Sequence, residues 1–145
     1  MVQPLPHSNS QGAIKVKYLL ILPLCLLAPP LAAQSTTPAD LIANYAAEAG
    51  VAASAERGQA LFTASHTGGK PDTPSCTTCH GADPRAGGLA RTGKPIEPLA
   101  PSANPERLTD LKFVEKWFGR NCNSVLGRDC TSAEKADVIA WLASL

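Results

Sequence analysis

Apolar positions follow two regimes along the 145 residues. Near the N-terminus, Tyr18 to Leu27 is an apolar run broken only by Pro23. From Pro38 onward the apolar residues recur at helical spacing instead. Pro38 to Ala49 carries Leu41, Ile42 and Tyr45, with Pro38 near the start. Ser54 to Ser65 sets Gly58, Leu61, Phe62 and Ser65 on one face. Thr109 to Arg120 places Leu111, Val114 and Phe118 at i, i+3, i+7, and Thr131 to Leu145 continues with Val138, Trp141, Leu142 and Leu145. That last stretch opens with Thr131-Ser132-Ala133-Glu134, the spacing of a capping box. No segment alternates as a half-buried strand does, so the pattern predicts an all-α fold of about four helices. Two irregular segments lie between them, Thr67 to Ser75 and Gly81 to Pro105. The second holds Pro84, Pro95, Pro98, Pro101 and Pro105. So long an irregular stretch is uncommon in a compact domain unless it is functional or wraps something.

The early apolar run belongs to a different kind of segment. Lys15 and Lys17 precede it, and Leu31-Ala32-Ala33 follows with small residues, so residues 1–33 read as a secretory signal peptide cleaved near Ala33. A membrane-spanning helix needs roughly 20 apolar residues, about twice this run; an uncleaved anchor is the alternative. A lipoprotein site at Cys25 is disfavoured because bulky Leu24 precedes it. The expected organisation is therefore a signal peptide at 1–33 and one domain at 34–145, exported to the periplasm. Removal of Lys15 and Lys17 leaves 13 − 2 = 11 basic residues against 12 acidic ones, a net charge of −1. That near-neutral balance argues against non-specific nucleic-acid binding and supplies no polybasic membrane patch.

Chemistry enters with the cysteines. Of five, Cys25 leaves with the signal peptide, and Cys76, Cys79, Cys122 and Cys130 remain. An even number in an exported chain suggests oxidised or otherwise occupied sulfurs. Cys76-Thr77-Thr78-Cys79-His80 is the C-x-x-C-H signature of covalent c-type haem attachment. Two thiols add to the haem vinyl groups, and the adjacent His80 ligates the iron. A thioredoxin-like pair would need a strand-to-helix context that is missing here. A zinc site would have to combine C-x2-C with C-x7-C, and the second spacing is unusual for zinc. There is no internal repeat and so no second haem motif. Around the first, Glu56 to Phe62 puts Gly58 and Phe62 on one face, ready for a close helix crossing near Trp141. The proline-rich loop suits the haem edge. A loop carbonyl there is a candidate to accept the far His80 nitrogen's proton, and Arg91 and Lys94 are candidates to meet the haem propionates, with solvated loop charges as the alternative for both.

The other axial position departs from common practice. Methionine is a usual sixth ligand in electron-transfer cytochromes c, yet the only methionine is Met1. His66 lies ten residues before Cys76, on the side normally proximal. Asn121 and Asn123 occupy the region where a distal ligand usually arises, and Asn121 follows His80 by 121 − 80 = 41 residues. The two cysteines beside them, Cys122 and Cys130, are expected to pair, with free thiols as the alternative.

From Pro38 to the C-terminus the chain resembles the sphaeroides haem protein family of oxygen-binding class I cytochromes c. The matching elements are Cys76 to Gly81, Thr92 to Pro101, Glu115-Lys-Trp-Phe-Gly-Arg-Asn-Cys122, Gly127 to Cys130 and Glu134 to Leu142. This resemblance implies a class I cytochrome c fold around one haem c. It also implies an asparagine axial ligand in the ferric state, falling on Asn121, and a neighbouring disulfide, falling on Cys122 and Cys130.

A carboxamide is a hard, weak donor that ferric iron tolerates better than ferrous iron. Asn121 is accordingly expected to leave on reduction and to free a position for O2, NO or CO. The resemblance further implies electron supply from a dihaem cytochrome c or a membrane cytochrome b. Two other functions stay open: a plain periplasmic electron carrier, and an enzyme acting on NO or peroxide. His66 is the only spare histidine for acid–base work and is wrongly placed for it, so a ligand-binding electron-transfer protein is favoured over an enzyme.

Overall fold

The computed structural model describes Met1, Gln3 and residues 35–145; the predicted signal peptide at 1–33 lies outside these apart from Met1 and Gln3. Within them the chain forms α1 (Pro38–Ala49), α2 (Ala55–Thr63), α3 (Thr77–His80), β1 (Gly88–Leu89), β2 (Pro95–Ile96), α4 (Leu111–Leu126) and α5 (Ser132–Ala143). Each long helix has a chemical start. Thr37 and Asp40 make a capping box ahead of α1, and Thr131 and Glu134 make one ahead of α5. Ser54 accepts the Arg57 N–H at 3.2 Å to open α2, and Asp110 accepts the Phe113 N–H at 3.0 Å to open α4.

α5 is the central element. It packs against both α1 and α2. One side joins Ala136 and Ile139 to Leu41 and Tyr45 of α1 and Val114 of α4. Another joins Val138, Trp141 and Leu142 to Phe62 of α2. Burial of side chains such as Leu41 and Ile139 contributes about 1.5–3 kcal/mol each. The α2–α5 crossing is close because position 58 is glycine: a Cβ there would stand 2.0 Å from the Asp137 carbonyl oxygen. Beside it, the Phe62 and Trp141 ring centroids are 5.0 Å apart. Arg57 then grips buried Asp137 through Nε and Nη2, each at 2.8 Å, and the Ser54 N–H reaches the same carboxylate at 2.6 Å. A third polar link joins α1, α4 and α5. The Tyr45 hydroxyl donates to Glu115, and Lys135 Nζ reaches the other Glu115 oxygen at 2.7 Å. Burial first, and then the Glu115 contact, push the Tyr45 hydroxyl's pKa well above its usual value.

Two details differ from the sequence pattern. α4 runs on past Arg120 to Leu126. Asn121 to Ser124 are weak helix formers, but Cys122 and Val125 are buried. Asn123 spends its amide on the Gly119 carbonyl at 2.8 Å rather than competing from outside the helix. Gly127, at φ 71°, ends α4. The other difference is a two-stranded antiparallel ribbon, pairing Gly88 with Ile96 and Leu89 with Pro95, inside the segment read as wholly irregular. Each strand has two residues, one of them glycine or proline, so no alternation could reveal it. Among the described residues the helices thus number five, the extra one being the single turn α3.

Candidate haem site

α3 is one helical turn, and it makes the motif work. The Cys79 and His80 N–H groups both return to the Cys76 carbonyl, at 3.3 and 3.1 Å. Cys76, Cys79 and His80 thereby share one side at i, i+3, i+4. Gly81, at φ 72°, ends the turn. Ser75 anchors it from below: its oxygen accepts the Thr77 N–H at 3.3 Å and its hydroxyl reaches the Phe62 carbonyl at 3.1 Å. On the other side, a Cβ at Gly88 would lie 2.1 Å from the Cys79 carbonyl oxygen, so β1 lies directly against α3.

Cys76 and Cys79 are half-buried and joined to no other cysteine. Burial, the largest cause, pushes the Cys76 thiol up to about 11. A reactive redox pair uses the opposite shift, and an irregular loop rather than a strand leads into α3, so the thioredoxin-like context is missing among the described residues. A four-cysteine zinc site also fails, because Cys122 and Cys130 form a disulfide with Cα atoms 5.5 Å apart. Among the described residues no cluster of three or more His, Cys, Asp or Glu side chains could hold a metal ion alone.

Asn121, on the inner side of α4, faces the motif. Its Nδ2 stands 3.4 Å from His80 Nε2. A half-turn of the amide would present Oδ1 instead. Burial, and secondly the Arg107 guanidinium, hold His80's pKa below its usual value, so the imidazole is neutral, the form that binds metals. His80 Nδ1 is buried without any partner, so the expected loop carbonyl does not reach it.

The surroundings fit a flat apolar group. Leu89 (60 % exposed), Phe113 (44 %) and Trp117 (38 %) are among the few large apolar side chains left uncovered in the described residues. Leu89 adjoins the strand residue that touches α3. Trp117 and Phe113 lie one and two turns before Asn121, with rings 5.9 Å apart. Uncovered apolar side chains on the elements that carry Asn121 and adjoin the Cys76–His80 turn suit covalent haem attachment.

Arg91 is ion-paired with Asp72 on the surface, and Lys94 is exposed at the ribbon turn, where its carbonyl accepts the Ala90 N–H at 2.9 Å. Neither bonds to His80 or Asn121. His66 is likewise turned away, its Nε2 2.9 Å from the Leu61 carbonyl. Asn123 is held by Gly119 and Asp129. The residue that sequence reasoning passed over is Arg107. Its Nε and Nη2 donate to the Pro98 and Glu97 carbonyls at 2.8 and 2.9 Å, and its charge is felt at His80. No periodicity marks a lone cation after a proline-rich loop. Its neighbour Leu108 holds φ 63°, unusual for a branched residue.

Comparison with known proteins places this arrangement in context. Residues 48–142 match a domain of unknown function, DUF1924. The chain is 66% identical over 119 residues to the cytochrome c-type protein SHP of Cereibacter sphaeroides, covering 82% of this chain and 92% of that protein. A solved structure of oxidized SHP, an oxygen-binding cytochrome c, superposes with a TM-score of 0.75 at 68% identity, over 77% of this chain and 99% of the other. The oxidized cytochrome c'' of Methylophilus methylotrophus gives a TM-score of 0.64 at 34% identity, over 74% and 93%.

Proposed function

The chain belongs to the family of SHP-type cytochromes c, and from that premise we propose that it is an exported ligand-binding cytochrome whose Asn121 ligates ferric haem and withdraws on reduction. Its fold is the all-α class I cytochrome c fold, and its cofactor is covalently bound haem c with its iron. When bound, the haem supplies a one-electron couple and two axial positions on the iron.

The residues divide that work. Cys76 and Cys79 hold the macrocycle by thioether bonds. His80, buried and with its pKa lowered, would hold the iron from one side through Nε2. The Asn121 carboxamide would hold the iron from the other side, and the observation that carries this is that its amide faces His80 Nε2, 3.4 Å away. An amide favours ferric over ferrous iron, so Asn121 would stabilise the oxidised state, lower the reduction potential and release the reduced iron. The vacated position is open to O2, NO or CO, as the name of the solved relative suggests for O2. Phe113 and Trp117, on α4 with Asn121, add apolar surface on that side. Arg91 and Lys94 remain candidates for propionate contacts from the loop side. Electrons come from a dihaem cytochrome c or a membrane cytochrome b, and residues 1–33 direct the chain to the periplasm.

The test is an absorption spectrum of ferric and dithionite-reduced protein, with and without CO. The proposal expects a low-spin ferric form and a high-spin ferrous form that CO shifts. A low-spin ferrous spectrum indifferent to CO would instead make this a plain electron carrier. The intact mass of protein recovered from the periplasm tests cleavage near Ala33.

A further inference from the structure

The loop that leads into the haem motif is fastened to the end of the ligand-bearing helix, and we propose that Thr73, its buried side-chain link, is the positioning residue that holds Asn121 at the iron. The proposal rests on the reading of Asn121 as distal ligand. Thr73 is 3 % exposed, one of two buried polar side chains among the described residues. Its hydroxyl donates to the Ser124 carbonyl at 3.0 Å and lies 3.0 Å from Ser124 Oγ. The Lys70 N–H reaches the same carbonyl at 2.7 Å. Ser124 is in the last turn of α4, where carbonyls have no partner within the helix. The loop therefore satisfies a helix end from outside.

Backbone contact makes the fastening tight. A Cβ at Gly69 would lie 2.2 Å from the Ser124 oxygen, and one at Gly68 would lie 2.3 Å from the Leu126 oxygen. Glycine at both positions lets the loop lie directly on the end of α4. Thr73 stands three residues before Cys76, and Ser124 stands three after Asn121, one turn along the same face. The Thr73 bond thus joins the segment that places His80 to the turn that places Asn121. Ser75 carries the link onward into α3 through the Thr77 N–H. Groups that orient a ligand without touching the metal commonly set its effectiveness, and a weak carboxamide has little reserve against misplacement.

The experiment uses the holoprotein. Thr73→Val keeps the volume and deletes the hydroxyl; Thr73→Ser keeps the hydroxyl. In ferric T73V the high-spin fraction should rise, and cyanide should bind severalfold more tightly because Asn121 competes less well. T73S should match the parent in both. CO association with the reduced forms should be unchanged, since Asn121 has already left. A T73V protein that melts earlier but keeps the parent ferric spectrum and cyanide affinity would overturn the proposal, as would a T73S protein that behaves like T73V. If T73V does not fold, Thr73→Ala against T73S isolates the same hydroxyl. Asn121→Ala separates the two layers. An unchanged ferric spectrum in N121A overturns the ligand reading itself; a changed one beside an unaffected T73V overturns only the role of Thr73.

Discussion

Asn121 and His80 are 41 residues apart in the chain, yet the Asn121 amide lies 3.4 Å from the His80 imidazole. They come from different helices, and no other polar side chain contacts His80 Nε2 among the described residues. The pairing predicts opposite outcomes for two substitutions. N121A should turn the ferric protein high-spin and raise its cyanide affinity on the order of tenfold, a change of ~1.4 kcal/mol. N121M should supply a softer thioether that stays on ferrous iron, and so slow CO binding to the reduced protein. Both are read from ferric and ferrous absorption spectra and from stopped-flow mixing with CO.

Gly58 predicts a stability effect. A Cβ would meet the Asp137 carbonyl oxygen at 2.0 Å and the Val138 nitrogen at 2.8 Å. Both are backbone atoms of the central helix, so neither can swing aside. G58A should therefore cost at least about 3 kcal/mol, at the upper end for overpacking. Urea unfolding followed at the haem band measures it. A loss below ~1 kcal/mol would mean that the crossing can open without penalty.

Glu134 predicts an acid-side pH dependence. Its contact with Arg128, at 2.7 and 2.8 Å, is the largest cause that lowers its pKa from 4.5 to about 2, with Thr131 adding to it. Because the folded value is depressed, the stabilisation is fully present above pH 4.5 and is lost as the pH falls towards 2. Arg128 is half exposed, so the effect is screened by salt and modest in size. E134Q should flatten the fall of the melting temperature between pH 4.5 and 2 relative to the parent, while the two proteins melt with a constant offset above pH 5.

Much of this was legible in the residues. The C-x-x-C-H spacing carries its own chemistry, so the haem motif could be read although the helical turn α3 that holds it could not. Gly58 and Phe62 announced the α2–α5 crossing because only glycine permits it. What the pattern hid has physical causes too. α4 continues through Asn121 to Ser124 because tertiary burial of Cys122 and Val125 overrides weak propensity. The Thr73 contact joins an irregular loop to the last turn of α4, 51 residues away, and no local period encodes such a bond. Arg107 bonds to carbonyls, which have no sequence identity.

The disulfide yields the last prediction. Cys122 and Cys130 close a loop with a separation of eight residues from the end of α4 to the start of α5. On the chain-entropy model such a loop contributes on the order of 2–3 kcal/mol. Cys122 adjoins Asn121 in sequence, but successive helical residues point about 100° apart. The sulfur therefore pulls towards α5 while the amide points towards His80. The end of α4 is also held independently by the Thr73 bond to Ser124. Removing the bridge with C122S/C130S should accordingly lower stability by about 2–3 kcal/mol and leave the ferric spectrum and cyanide affinity at parental values. Dithiothreitol treatment of the native protein should do the same while the iron is kept ferric. A high-spin shift on loss of the bridge, at a temperature where both forms are folded, would show instead that the disulfide switches the ligand.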